Sequence, residues 1–217
     1  MKRTALGFLS LGAMVALLLV LGQGPFAAAS FDFGRYTSYE GVLEEWPYPM
    51  LVTSTGRFLL VGEGKHGFEP GNLNGQQVRL RGALIRRGDD QMLELESGSA
   101  ERIAPGHSHE KPIDLGPIQL TGEIVDSKCY LGVMNPGSGK VHRDCAARCI
   151  SGGAPPAFLA RDSAGEVRVL LLAGADGRAL NREVLDYVAE PITVSGRIFR
   201  KGTTLILKAE PKDFRRE

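Results

Sequence analysis

Cys129, Cys145 and Cys149, with His142 and Met134 among them, crowd into residues 126–156 (DSKCYLGVMNPGSGKVHRDCAARCISGGAPP), which hold every cysteine of the chain. Thiolate, imidazole and thioether are soft donors, and this mixture suits zinc or copper. Residues 140–150 (KVHRDCAARCI) predict a short helix, with Pro136 and Gly137 before it and Gly152-Gly153 after it. On such a helix His142, Cys145 and Cys149 fall at i, i+3 and i+7 and share one narrow face. Cys129, on the approach to the loop, supplies a fourth position. The resulting Cys3His set is a closed, tetrahedral zinc arrangement. With Met134 as an additional soft ligand it also suits copper.

The same residues carry two other chemistries. A disulfide from Cys129 to Cys145 or Cys149 would staple the loop and contribute about 3 kcal/mol by loop entropy. It would leave one thiol over, because the chain has three cysteines. An odd count in an exported chain calls for a free, metal-bound or externally paired thiol. A cysteine near a helix N-terminus, with Lys140, Arg143 or Arg148 beside it, is a candidate for a lowered pKa and redox reactivity. No paired carboxylates, nucleophile elbow or cofactor fingerprint accompanies the segment, so an enzyme ranks behind a binding module. Pro136-Gly-Ser-Gly-Lys140 is not a phosphate loop, since Val141 stands where a magnesium-binding hydroxyl is needed.

The elements that must position these residues come in two similar copies. Val78-Arg-Leu-Arg-Gly82 followed by Gly88 aligns with Ile192-Thr-Val-Ser-Gly196 followed by Gly202. Residues 57–61 (RFLLV) align with 168–172 (RVLLL), and 40–43 with 121–125. Period-two alternation of Val, Ile, Leu and Thr reads as strand, and the glycines mark turns or bends. In the second copy the predicted strands are 118–125, 157–161, 167–173, 191–200 and 203–209, with a short helix at 181–188 capped by Asn181. Five strands with a helix after the third resemble the OB-fold, a partly open Greek-key barrel. The fold class expected is therefore mostly β, with two small five-stranded OB-like barrels in tandem. Residues 30–104 form the first, 105–114 a linker and 115–217 the second. Copy one joins its first two strands through the short Glu44-Glu-Trp-Pro-Tyr-Pro49, read as a loop capping its own barrel. Copy two inserts 126–156 at that place, and a patterned loop of that length points to function.

Residues 1–29 read as a signal peptide or N-terminal membrane anchor. Lys2 and Arg3 precede an apolar run over 5–22, and Ala27-Ala28-Ala29 suits cleavage. The positive residues place the rest of the protein across the membrane, so a periplasmic or membrane-anchored location is expected. The net charge of +1 leaves no basic footprint for nucleic acid.

Two resemblances bear on the chemistry. Cys145-Ala-Ala-Arg-Cys149 has the C-x3-C spacing of the dinuclear copper domains of terminal oxidases and of the chaperones that serve them. There the histidine ligand lies downstream of the pair, whereas His142 lies upstream. The longer pattern GEIVDSKCYLGVMNPG followed by HRDCAARCISGGAPP resembles a group of bacterial exported proteins, a likeness covering roughly the second half of the chain. It implies a site in residues 126–156 and implies no reaction. The leading expectation is an exported, non-catalytic module binding zinc or copper at Cys129, His142, Cys145 and Cys149, or supporting an envelope redox or respiratory protein. A thiol redox enzyme and a disulfide-stapled ligand-binding module are the alternatives.

Overall fold

The computed structural model describes residues 2–22 (side chains from residue 11), 29–106, 110–161 and 167–217. Helix α1 (Lys2–Leu21) covers the N-terminal apolar run. Among the described residues no helix is long and apolar enough to cross a membrane. Ala27 and Ala28 of the expected cleavage segment lie outside the described residues.

Each half of the remaining chain closes into a barrel because one long strand takes up a further partner from a glycine onward. After β1 (Ala29–Phe31), the first half contains β2 (Thr37–Glu45), β3 (Pro49–Val52), β4 (Arg57–Val61), β5 (Gln76–Arg87) and β6 (Asp90–Leu95). Strand β5 pairs with β2 over 77–82 and with β6 over 82–87, so Gly82 is the hinge between the two ladders. A Cβ there would lie 3.0 Å from the Cβ of Leu93, closer than strands turning this sharply accommodate. The parallel pairing of β4 with β6 completes the ring β2-β3-β4-β6-β5.

The second half repeats this plan. Strand β7 (Glu101–Pro105) ends the first barrel by pairing with β5. Then β8 (Ile113–Asp126), β9 (Pro156–Arg161), β10 (Val167–Ala173), β11 (Ile192–Lys201) and β12 (Thr204–Lys208) close as β8-β9-β10-β12-β11, with β10 and β12 parallel. Gly196 plays the part of Gly82; a Cβ there would meet the Lys208 carbonyl at 2.4 Å. Helical turns at Gly71–Leu73 and Arg182–Tyr187 stand between the third and fourth strands of the two barrels. A short β13 (Arg215–Arg216) adds to β11. The protein is thus mostly β, with two small five-stranded mixed barrels in tandem, as the repeat predicts.

The barrels are packed against one another. Strands β4 and β10 are apolar runs, and successive residues of a strand face opposite ways. Phe58 and Leu60 enter the first barrel's core, Leu170 and Leu172 the second's. Leu59, Val61, Leu171 and Ala173 turn outward into a third core between the barrels, together with Met50, Ile85, Tyr130, Leu131 and Ile206. The run 46–49 is not a cap on its own barrel. Tyr48 reaches into the second barrel, where its hydroxyl donates to the Leu172 carbonyl (2.7 Å) and accepts the Leu180 N–H (3.0 Å). Loss of that hydroxyl in Tyr48→Phe leaves buried backbone groups unpaired and is expected to cost about 1–3 kcal/mol. A chemical-denaturation midpoint measures it, and an unchanged midpoint would show the bonds to be dispensable.

Candidate metal centre

The site begins where β8 ends. Asp126 is fully buried, and its two carboxylate oxygens hold two parts of the insertion. Oδ1 accepts the Cys129 N–H at 2.7 Å, in the manner of a helix cap three residues back. Oδ2 lies 3.1 Å from His142 Nε2. The chain winds through a wide, π-type helical turn at Cys129–Val133, then a turn at Lys140–His142, into α2 (Arg143–Ser151). The predicted helix over 140–150 is therefore divided, and His142 is the residue that caps α2 rather than a member of it. Its imidazole takes its direction from Asp126. Helix α2 sinks Ala146 and Ile150 into the second barrel's core, which turns Cys149 toward Cys129 and Ala154. The helix ends at Gly152 and Gly153, with Gly153 at φ +102°, a conformation suited to glycine.

Asp126 and Cys129 from the end of β8 thus meet His142, Cys145 and Cys149 from the helical return. The Cys129 and Cys145 sulfurs and a His142 ring nitrogen lie within 4.8 Å of one another. The same span holds an Asp126 oxygen with the Cys129 and Cys149 sulfurs. Cys129 belongs to both groups. Donors on one tetrahedral zinc stand about 3.3–3.8 Å apart, so contraction by roughly an ångström would close either set on an ion. Cys129, Cys149 and His142 are buried and Cys145 is half-buried. All three cysteines are free thiols. Met134 ends the first turn with 45 % of its surface exposed, its N–H bonded to the Cys129 carbonyl.

Two lysines complete the arrangement, and the sequence reading passed over both. Lys65, from the Gly62-Glu-Gly-Lys-His-Gly67 loop of the first barrel, places Nζ 3.0 Å from Cys145 Sγ and 3.6 Å from Cys149 Sγ. The loop can approach because the facing residues are glycines. Gly67 N–H bonds to the Gly152 carbonyl at 2.8 Å, and a Cβ on Gly152 would lie 2.0 Å from the Lys65 carbonyl oxygen. From below, Lys128 anchors the same loop. It is 2 % exposed, is ion-paired with Glu94, and donates to the carbonyls of Gly62 (2.9 Å) and Gly64 (2.6 Å). A glycine-rich turn distant in sequence carries no pairing signal with a cysteine loop. The signal that was present is Lys128, an ionisable residue next to Cys129 at the end of an apolar strand.

Electrostatics divides the buried thiols. Cys129 donates its proton toward Cys149, which pushes its own pKa far up, and burial and Asp126 add to that shift. The same hydrogen bond pulls Cys149 down to about 7, with Lys65 assisting against burial and Asp126. Near neutral pH the pair therefore holds one proton on Cys129 and a thiolate developing on Cys149. In turn the contact with Cys145 raises the Lys65 pKa, so this ammonium remains charged. Soft anionic sulfur, an imidazole oriented by a carboxylate and a balancing cation together make a set that could receive a metal ion.

Fold and site define a tandem OB-like barrel protein with a candidate Cys/His/Asp metal centre in the second barrel's insertion. Compared with protein-family models, curated proteins and solved structures, the chain matches none.

Proposed function

We propose that this protein is an exported, non-catalytic metal-binding module that holds one zinc or copper ion at Cys129, His142, Cys145 and Cys149. The observation that carries this reading is the triad of Cys129, His142 and Cys145 donors within 4.8 Å of one another, with Cys149, a third free thiol, grouped with Cys129 in the adjoining set. Asp126 supports it from behind. With Nε2 of His142 directed to the carboxylate, Nδ1 is the nitrogen left for an ion, the carboxylate–histidine–metal arrangement common in such centres. Lys65 supports it from the open side, since three thiolates and a divalent ion carry a net negative charge that an ammonium offsets. Met134, half-exposed, is not in the proposed ligand set. An ion of this kind in an exported protein suits service to an envelope redox or respiratory protein.

The test is elemental analysis by mass spectrometry on protein purified from its native compartment, with a free-thiol count on the same sample. One equivalent of zinc or copper, and three thiols titratable after its removal, is the expected result. No metal and a disulfide leaving one thiol would overturn it in favour of a stapled loop. The acidified Cys149 favours a second reading, a thiol redox enzyme. That reading expects alkylation of Cys149 to rise with pH through about 7 and to alter an activity, whereas alkylation that merely blocks metal uptake belongs to the first.

A further inference from the structure

We infer that Lys65 and Cys145 form an oxidative crosslink, Nζ–O–Sγ, that joins the two barrels covalently when hydrogen peroxide reaches the metal-free site. The contact is built rather than incidental. Lys65 Nζ stands 3.0 Å from Cys145 Sγ, close to what a single bridging oxygen spans, while a direct N–S bond would require a much nearer approach. The lysine's backbone is held against Gly152, and its loop is fastened by the buried Lys128. Access follows the same pattern. Lys65 is exposed and Cys145 half-buried, whereas Cys129 and Cys149 are buried. Cys145 is thus the thiol that an oxidant in solvent meets first.

The chemistry balances with hydrogen peroxide as the oxidant. The Cys145 sulfur attacks one peroxide oxygen, the O–O bond breaks, and one water leaves. Sulfur has given up two electrons and carries a hydroxyl as sulfenic acid, a species that condenses with neighbouring nitrogen or thiol. A second peroxide accepts two electrons from the Lys65 nitrogen as the N–O bond to that oxygen forms, and two more waters leave. Amine, thiol and two peroxides become the crosslink and three waters. Counted as free amine and thiol the atoms balance, so no further acid or base is consumed. An ion bound to Cys145 would occupy the sulfur and block the reaction; the crosslink would in turn remove Cys145 from a ligand set. The inference needs only the Lys65–Cys145 contact and stands whether or not a metal binds.

The experiment takes the full chain, reduced and treated with a chelator, through a short exposure to hydrogen peroxide and peptide mapping without reductant. A linked peptide pair containing Lys65 and Cys145, heavier by one oxygen and lighter by two hydrogens, is expected, and dithiothreitol should release it. Lys65→Arg keeps a cation over the sulfurs but should lower the linked species to background, with circular dichroism confirming the fold. A disulfide from Cys145 to Cys129 or Cys149 with Lys65 unmodified would overturn the inference. So would a linked pair lacking the added oxygen. Metal content is read on the untreated sample, so failure of the crosslink and failure of the metal reading are separate results.

Discussion

Replacing Lys128 with methionine is expected to destabilise the protein by about 3–5 kcal/mol, the scale of breaking a buried ion pair by removing one partner. Lys128 is 2 % exposed and its three donors are all engaged, by Glu94 and by the carbonyls of Gly62 and Gly64. Methionine fills much of the same volume, so packing changes little. The cost comes from the Glu94 carboxylate, which is 5 % exposed and loses its ammonium, and from two carbonyls that lose a donor. Replacing both partners, Lys128→Met with Glu94→Gln, should therefore recover a large part of the loss, because a neutral amide tolerates burial better than an unpaired charge. Denaturant unfolding measures both variants. A loss below about 1 kcal/mol for the single variant would be in the range of exposed pairs and would show this pair to be solvated. The single variant has a second expected consequence. The Gly62–Gly67 loop loses its fastening, so Lys65 should leave Cys145 and the peroxide-dependent crosslink should fall with it.

That buried pair also marks the boundary of what could be read from the residues. The two barrels were legible because each carries its own alternation and its own hinge glycine, Gly82 or Gly196, at matching positions. The insertion was legible because one copy has 126–156 where the other has a short connection. Local signals of both kinds sit within a few residues of what they specify. The packing between the barrels was not legible in that way. The runs 57–61 and 168–172 read as strand either way, and the outward faces of Leu59 and Leu171 acquire meaning only when two barrels are laid together. The same holds for Tyr48, read as a local cap but hydrogen-bonded to Leu172 and Leu180. Of the site, the cysteines and His142 were named from their types and spacing. Asp126, the first residue of the insertion, was given no role, and Lys65 and Lys128 became neighbours of the thiols only through that inter-barrel contact.

Substitution of Cys129 by serine is expected to abolish stoichiometric metal retention, because Cys129 is the member common to both donor groups. A serine hydroxyl is a poor ligand for a soft ion, and the remaining donors then fall into separate pairs, His142 with Cys145 and Asp126 with Cys149. Asp126→Asn tests the layer behind. The amide still accepts the Cys129 N–H through its oxygen but no longer presents a charge to His142, so affinity should fall by about 10–100-fold with retention still measurable. The two variants separate the readings of the site when metal content and competition with a chelator are measured on each. A ligand role for Cys129 requires the first variant to lose metal outright and the second to weaken it by the smaller factor. If the loop is held instead by a disulfide, Cys129→Ser should lower stability, and Asp126→Asn should leave metal content at the same background as the parent protein. Equal, full retention by both variants would place the ion elsewhere and remove Cys129 from the centre. His142→Ala completes the comparison. It removes the nitrogen ligand while the three sulfurs and Lys65 remain, so a weakened but sulfur-bound ion is expected in the metal reading and no change at all in the stapled-loop reading.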